Sequence, residues 1–348
     1  MTSTPTHVSP PADHGIGRQT LLQRIASLRA WLFLLALVII FESWARLDFG
    51  GTFVGNAYNI QSILVFAVAP LLLATGQTFV IITGGIDLSL GFIMGLAAVV
   101  SAHVINWATP GMGMGFAVVL GFLAGVLIAG VPGLVNGLMV ARLRVPPFIG
   151  TLGMFGVCRG VAFLVADGTT VAVRGNDVFR EIGNGKLFGV PWLVIITALL
   201  VLFMHYLLSQ TKFGQHNYAI GANEQAARRA GINVRRHLTW LYVLSAFCAG
   251  LSGVLYTARF SAGAAQAGEP LLLDCVAAVV IGGASLFGGS GTIFGTVAGA
   301  LVIAVIQYGL VFVNVAPFWQ FISVGVVIII SVLIDQAQRR FAGGRVSE

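Results

Sequence analysis

The chain has 348 residues, 57% of them hydrophobic and only 9% charged, with a formal net charge of +7. A soluble domain carries about a quarter of its residues as charges, so this composition requires lipid as its solvent. The basic residues are scattered over several short loops rather than gathered on one face, which excludes a nucleic-acid-binding protein.

Residues 1–29 are polar, with prolines early and Arg18, Arg24 and Arg29 late, and are expected to form a disordered cytoplasmic tail. The apolar run that begins at Trp31 is followed by Glu42, Trp44 and Arg46, not by a small-residue cleavage site, so it reads as an uncleaved first span. A helix needs about 20 apolar residues to cross a bilayer. On that measure spans are predicted at 30–47, 60–82, 86–106, 114–140, 147–166, 191–208, 238–258, 272–287, 292–313 and 317–335. The third and the eighth adjoin glycine-rich breaks. The fold class is therefore all-α: a polytopic transmembrane helical bundle of about ten spans, with glycine-broken or re-entrant segments. The transmembrane domain covers 30–336, and 337–348 form a C-terminal tail.

Orientation follows from the excess of Lys and Arg in cytoplasmic loops. With a cytoplasmic N-terminus, thirteen basic residues fall inside, five fall outside, and Arg159 lies within a span, which accounts for all 19. Both termini are then cytoplasmic. The main external loop, 167–190, balances Asp167, Asp177 and Glu181 against Arg174, Arg180 and Lys186 and reads as a solvated loop.

Ionisable groups inside spans are costly and mark functional sites by default. Asp87 follows Thr83-Gly84-Gly85, where the chain can break before a new helix starts, and a cap on that helix is its simplest structural role. The stretch from Gly282 to Gly291 holds five glycines in ten residues, each costing about 1 kcal/mol relative to alanine in a helix. A reversal or re-entrant turn is expected there, between Asp274–Ile281 and Thr292–Val313. Glu42 and Arg159 are expected to act as interior structural partners. Gly291, Gly295 and Gly299 form a ladder of small residues, as do Gly121 with Gly125 and Gly133 with Gly137, and these are packing faces. Gln77, Asn136, Gln307 and Asn314 offer hydrogen bonds to a polar solute or to neighbouring helices. Cys158, Cys248 and Cys275 fall in or beside apolar segments and read as buried free thiols. The six histidines show no ligand spacing, so no metal is implied.

The longest polar stretch between apolar ones is the cytoplasmic loop 209–237, with Gln210–His237 at its centre. It predicts a short helix over Glu224–Ala230. Asn223 is its N-cap, Glu224 stands in the first turn, Arg228 is placed for an i,i+4 pair, and Gly231 is a left-handed C-cap. Ala226, Ala227 and Ala230 give it a small face that another protein can approach closely. Seven residues span only about 10 Å and are not stable alone in water.

The motif GANEQAARRAGINV, in this loop, resembles the cytoplasmic coupling-helix motif of ABC importer permeases, with Glu224, Ala226, Ala227 and Gly231 at its Glu, Ala and Gly positions. TGGIDLSLG (Thr83–Gly91) and LLLDCVAAVVIGGASLFGGSGTIFG (Leu271–Gly295) resemble the other two hallmarks of the monosaccharide branch of that family, and the likeness covers about residues 30–340. The resemblance implies a permease subunit driven by a separate ATP-binding subunit with two nucleotide-binding domains. That subunit would hold ATP and Mg and would grip the helix at Asn223, Glu224, Ala226, Ala227, Arg228 and Gly231. It further implies a periplasmic sugar-binding protein, a monosaccharide substrate, a second permease copy or a related permease, and a place in the bacterial inner membrane. Gly84, Gly85, Asp87 and Ser89 in one segment, and Asp274, Gly282, Gly283, Ser285, Gly288 and Gly289 in the other, are the expected path or gate. No Walker A sequence and no HExxH or GxSxG motif is present, so the chain is not expected to be an enzyme or to bind a cofactor itself. The alternative is an ion-coupled secondary transporter of a small polar solute using Asp87 or Asp274.

Overall fold

The computed structural model describes residues 16–316 and 318–343. Five long helices open the chain: α1 (Ile16–Asp48), α2 (Ala57–Ile82), α3 (Leu90–Met112), α4 (Met114–Ala141) and α5 (Pro147–Val165). Between α5 and the next long helix lie β1 (Val171–Ala172), α6 (Asp177–Asn184), β2 (Lys186–Leu187) and β3 (Val190–Pro191). Then follow α7 (Trp192–Gln210), α8 (Lys212–Ala222), α9 (Glu224–Arg229), α10 (Val234–Phe260) and β4 (Ala262–Gly263). The chain closes with α11 (Leu271–Ile281), α12 (Ile293–Phe312) and α13 (Phe318–Gly343).

Among the described residues eight helices are long and apolar enough to cross a membrane, and α11 and the apolar part of α13 are shorter. Together they correspond to the ten expected spans. The polar tail expected over 1–29 is a helix from Ile16, continuous with α1, while residues 1–15 lie outside the described residues. At the other end α13 runs on to Gly343, into the stretch expected as a tail, and 344–348 lie outside the described residues. The third span starts at Leu90, later than expected, because residues 83–89 form an irregular turn. The eighth ends at Ile281 instead of 287, so α11 is about 16 Å long, half a bilayer's hydrocarbon core.

What precedes α11 explains its shortness. β4 pairs with β1 at one end of the bundle, and the chain then descends without helix as far as Pro270, along α3. Gly263 backs onto Ala98, Ala265 onto Gly95, and Gly268 onto Gly91. Turns close between Ala264 and Ala267 and between Gln266 and Glu269. Non-helical backbone survives at such depth only where protein or water satisfies it. The run of small residues from Ser261 to Gly268 lets the backbone lie directly on α3. The predicted spans 238–258 and 272–287 leave this stretch as a loop outside the bundle, whereas it lies along α3.

α2, α3, α10 and α12 are buried over most of their length, whereas α1, α4, α5 and α7 present wide apolar faces outward. The small-residue ladders do pack helices. Gly295 and Gly299 of α12 meet Gly282 and Ala278, Gly121 and Gly125 of α4 meet α3, and Gly133 and Gly137 meet α10. Side-chain bridges add to them: Thr78 to Thr296 at 2.7 Å, and Thr257 to the Ala98 carbonyl at 3.2 Å. Such bonds contribute on average about 0.6 kcal/mol each in a membrane protein. The three cysteines are buried and unpaired. Glu42 receives the amides of Phe53 and Val54 and the Arg46 side chain, so it ties the loop after α1 to its own helix.

The loop 167–190 is more ordered than a solvated loop. Asn176 caps α6 by accepting the Phe179 amide at 2.9 Å, and Phe179 is buried against the bundle. Gln61 at the start of α2 bonds the Gly189 carbonyl and the Lys186 ammonium. This end of the bundle carries 167–190. The opposite end carries α8 with Lys212 and α9 with Arg228 and Arg229, and it is the end that the excess of basic residues assigns to the cytoplasm.

Candidate functional site: the cytoplasmic junction

The polar island folds as two helices held on three supports. Thr211 caps α8, and Asn217 of α8 donates to the Phe79 carbonyl of α2 at 3.0 Å. His237 of α10 meets Asn217 Oδ1 at 3.2 Å, and the Phe213 ring packs on the His237 ring with centroids 4.4 Å apart. Tyr218 donates its hydroxyl to the Gly291 carbonyl at 2.6 Å. Burial raises the Tyr218 pKa above its usual value, so it remains a donor at physiological pH. α8 is thereby fixed to α2, to α10 and to the loop before α12.

α9 follows with its predicted ends in place. Asn223 accepts the Ala226 amide at 2.9 Å, Arg228 pairs with Glu224, and Gly231 takes φ +86°. Its regular part ends at Arg229, with Ala230 as the capping residue. Ala227 is buried against Ile220 and Val234, while Asn223, Glu224, Ala226, Arg228 and Gly231 remain exposed. One alanine anchors the helix, and the rest of its surface is offered outward.

The turn Thr83–Ser89 lies beside this platform. Gly84 has φ +79°, and Gly85 sits where a Cβ would come within 2.9 Å of the Tyr242 hydroxyl. Asp87 is wholly buried, and its Oδ1 accepts the Ser89 amide at 2.9 Å and the Ser89 hydroxyl at 2.5 Å. Asn136 of α4 donates to Ser89 Oγ at 2.8 Å, and Thr151 of α5 receives the Leu88 amide at 3.1 Å. The carboxylate thus folds the turn onto Ser89, the residue that starts α3, rather than capping the first-turn amides as expected, and Asn136 and Thr151 hold this turn to α4 and α5.

The glycine-rich stretch reverses the chain between α11 and α12 as expected. Ser285 and Ser290 bond across it at 3.0 Å, and the Ser285 hydroxyl accepts the Phe287 amide. Gly283, Gly288 and Gly289 have φ of +91°, +88° and +80°, a region closed to most L-residues. Gly282 ends α11 and packs face to face on Gly295. A Cβ on Gly288 would come within 3.0 Å of both the Gly221 carbonyl oxygen and the Gly84 nitrogen. The Gly289 amide donates to the Ile82 carbonyl at 2.8 Å. The three motifs, distant in sequence, thus meet backbone to backbone.

Not every expected residue lies there. Asp274 sits eight positions before Gly282, about 12 Å up α11, where Gln307 of α12 donates to its Oδ2 at 2.7 Å. Arg159 is not an interior partner. It is half exposed, lies over the Phe92 ring, and faces the half-exposed Glu269 at 3.9 Å. Sequence reasoning missed Asn217, Tyr218 and Gly221, which hold the platform.

A helical bundle with about ten candidate spans, glycine-built turns and a capped helix held out at its basic end is a multi-pass membrane protein. Residues 59–332 match the family described as "Branched-chain amino acid transport system / permease component", and the chain belongs to that family. It is 38% identical over 280 residues to the ribose import permease protein of Bacillus subtilis (strain 168), covering 80% of this chain and 84% of that one. It is 35% identical over 329 residues to the ribose import permease protein of Escherichia coli (strain K12), covering 92% and 99%. The fructose import permease protein of Rhizobium meliloti is 35% identical over 302 residues, covering 84% and 81%.

Proposed function

We propose that this chain is the inner-membrane permease subunit of an ATP-driven monosaccharide importer, coupled through α9 to a separate ATPase subunit with two nucleotide-binding domains. ATP and Mg belong to that subunit, and a periplasmic binding protein delivers the sugar to the face bearing 167–190. The observation that carries the reading is the junction itself. The exposed helix α9 stands on α8, and α8 is bonded to α2 and to the glycine loop. A push on α9 is therefore delivered to the ends of α2, α11 and α12. Relatives named for ribose and fructose import support a sugar as substrate.

A second permease copy completes the assembly. Arg159 and Glu269 stand half exposed at membrane depth, where contact with hydrocarbon is costly. A water-filled path or a second copy on that face removes the cost. The family description favours a second reading, in which a branched-chain amino acid is carried. Reconstitution of the chain with its ATPase and binding protein, followed by uptake of D-ribose, D-fructose and L-leucine, separates the two. ATP-dependent uptake of a sugar is expected, and uptake of L-leucine alone would replace the reading.

A further inference from the structure

In the outer half of the bundle a cavity of about 430 Å³ opens between α2, α10, α11, α12 and α13. It reaches from Arg259, one residue before the outer end of α10, to Asp274 on α11, and lies well away from the cytoplasmic junction. Its volume falls within the roughly 300–1,000 Å³ of ordinary small-molecule sites. Its lining is unusual for a membrane interior. Asp274, Gln307, Gln320 and Arg259 supply polar groups, and Phe66 and Tyr256 supply aromatic faces.

These groups are held in place. Gln307 Nε2 donates to Asp274 Oδ2 at 2.7 Å, which orients the carboxylate and leaves its Oδ1 with acceptor capacity to offer. The Arg259 guanidinium lies over the Phe66 and Phe260 rings at 5.2 and 5.1 Å and donates to the Val65 carbonyl at 3.3 Å. An arginine so placed keeps several of its five donors for another partner. Carboxylate, amides and guanidinium in one cavity alternate acceptors with donors, which is what a ring of hydroxyl groups requires. The aromatic faces suit the apolar C–H side of a sugar ring. Asp and Arg at this depth are costly unless they line such a space.

We propose that this cavity is an outer binding site for a monosaccharide within each permease chain. Asp274 and Gln320 contact its hydroxyls, and Gln307 positions Asp274. The site rests on the importer reading above, and its test is chosen to stand apart from it. Gln320→Cys in the full chain in membranes is treated with a positively charged thiol reagent, with Asn184→Cys on the outer surface as control. The native thiols are buried. D-ribose, D-fructose or D-galactose at about ten times its Kd is expected to slow labelling at position 320 about tenfold by occupying the cavity, and to leave position 184 unchanged. In uptake assays Asp274→Asn and Gln307→Ala are expected to raise KM and to alter the preference among the three sugars. Equal labelling with and without every sugar, or protection by L-leucine and no sugar, would overturn the site. Absence of ATP-driven uptake in the unmodified chain would instead refute the importer reading, while the labelling still decides the cavity.

Discussion

The Gly289 amide donates to the Ile82 carbonyl at 2.8 Å, so the last carbonyl of α2 is satisfied by the loop between α11 and α12. Helix ends leave such carbonyls without intrahelical partners, and a buried one must find another. Here the partner is a residue in the left-handed region, and the backbone of Gly221 from the α8 platform packs against the same carbonyl. Three segments share one small patch of bare backbone. No side chain there can yield, so motion of one displaces the others.

Tyr218→Phe tests that linkage gently. It removes only the bond to Gly291 and costs about 1 kcal/mol, with the ring left in place. Membrane insertion and the melting temperature in detergent are expected to change little, while sugar-stimulated ATPase and uptake fall together. Gly221→Val is the severe version, since its Cβ would collide with the Ile82 carbonyl. Overpacking of this kind costs about 1–3 kcal/mol, and a lower melting temperature is expected alongside lost uptake. Wild-type coupling in Tyr218→Phe would detach α8 from the transmission of force.

The coupling helix is tested by Glu224→Arg and Gly231→Val. The Glu224–Arg228 pair is exposed and contributes no more than about 0.5 kcal/mol to stability. Glu224→Arg is therefore expected to leave folding intact and to abolish ATPase stimulation by presenting a wrong charge. Gly231 has open space around it and φ +86°, so valine there meets backbone strain of about 1–3 kcal/mol rather than a clash. Co-purification of the ATPase and its stimulation by the loaded binding protein measure both. Normal values in both variants would remove α9 as the docking element.

Most of α9 was legible because its determinants are local: a cap, an ion pair and a glycine within nine residues of one another. The spans were legible because lipid demands long apolar runs, whatever the packing. The descent from Ser261 to Pro270 was not, since a run of small residues has no period. Its conformation is set by Gly91 and Gly95 on α3, far away in sequence. Asp87 stood out as the polar group at a break before α3, yet Asn136 and Thr151, which hold this turn, belong to other helices and left no local sign.

Asp87 separates structure from transport. Asparagine at this position retains an oxygen for the Ser89 amide, whereas alanine leaves that amide and the Ser89 hydroxyl without their acceptor. A buried unpaired group costs about 1–3 kcal/mol. Asp87→Ala is expected to lower the melting temperature and the yield in membranes, and Asp87→Asn to retain most of both. Loss of uptake in a fully stable Asp87→Asn would move this carboxylate from the scaffold to the path.

Glu269→Leu asks what covers the half-exposed ion pair. A charge facing hydrocarbon at the centre of a helix costs about 2.5–3.5 kcal/mol on insertion scales, so its removal would stabilise a lipid-facing site. Against water or a second copy the same change removes a partner from Arg159, 3.9 Å away, and gains nothing from lipid. The expected result is reduced uptake with an unchanged or lower melting temperature, restored in part by Arg159→Leu in the same chain because no unpaired cation then remains. A higher melting temperature with normal uptake would turn this face to the bilayer and leave the second copy to bind elsewhere.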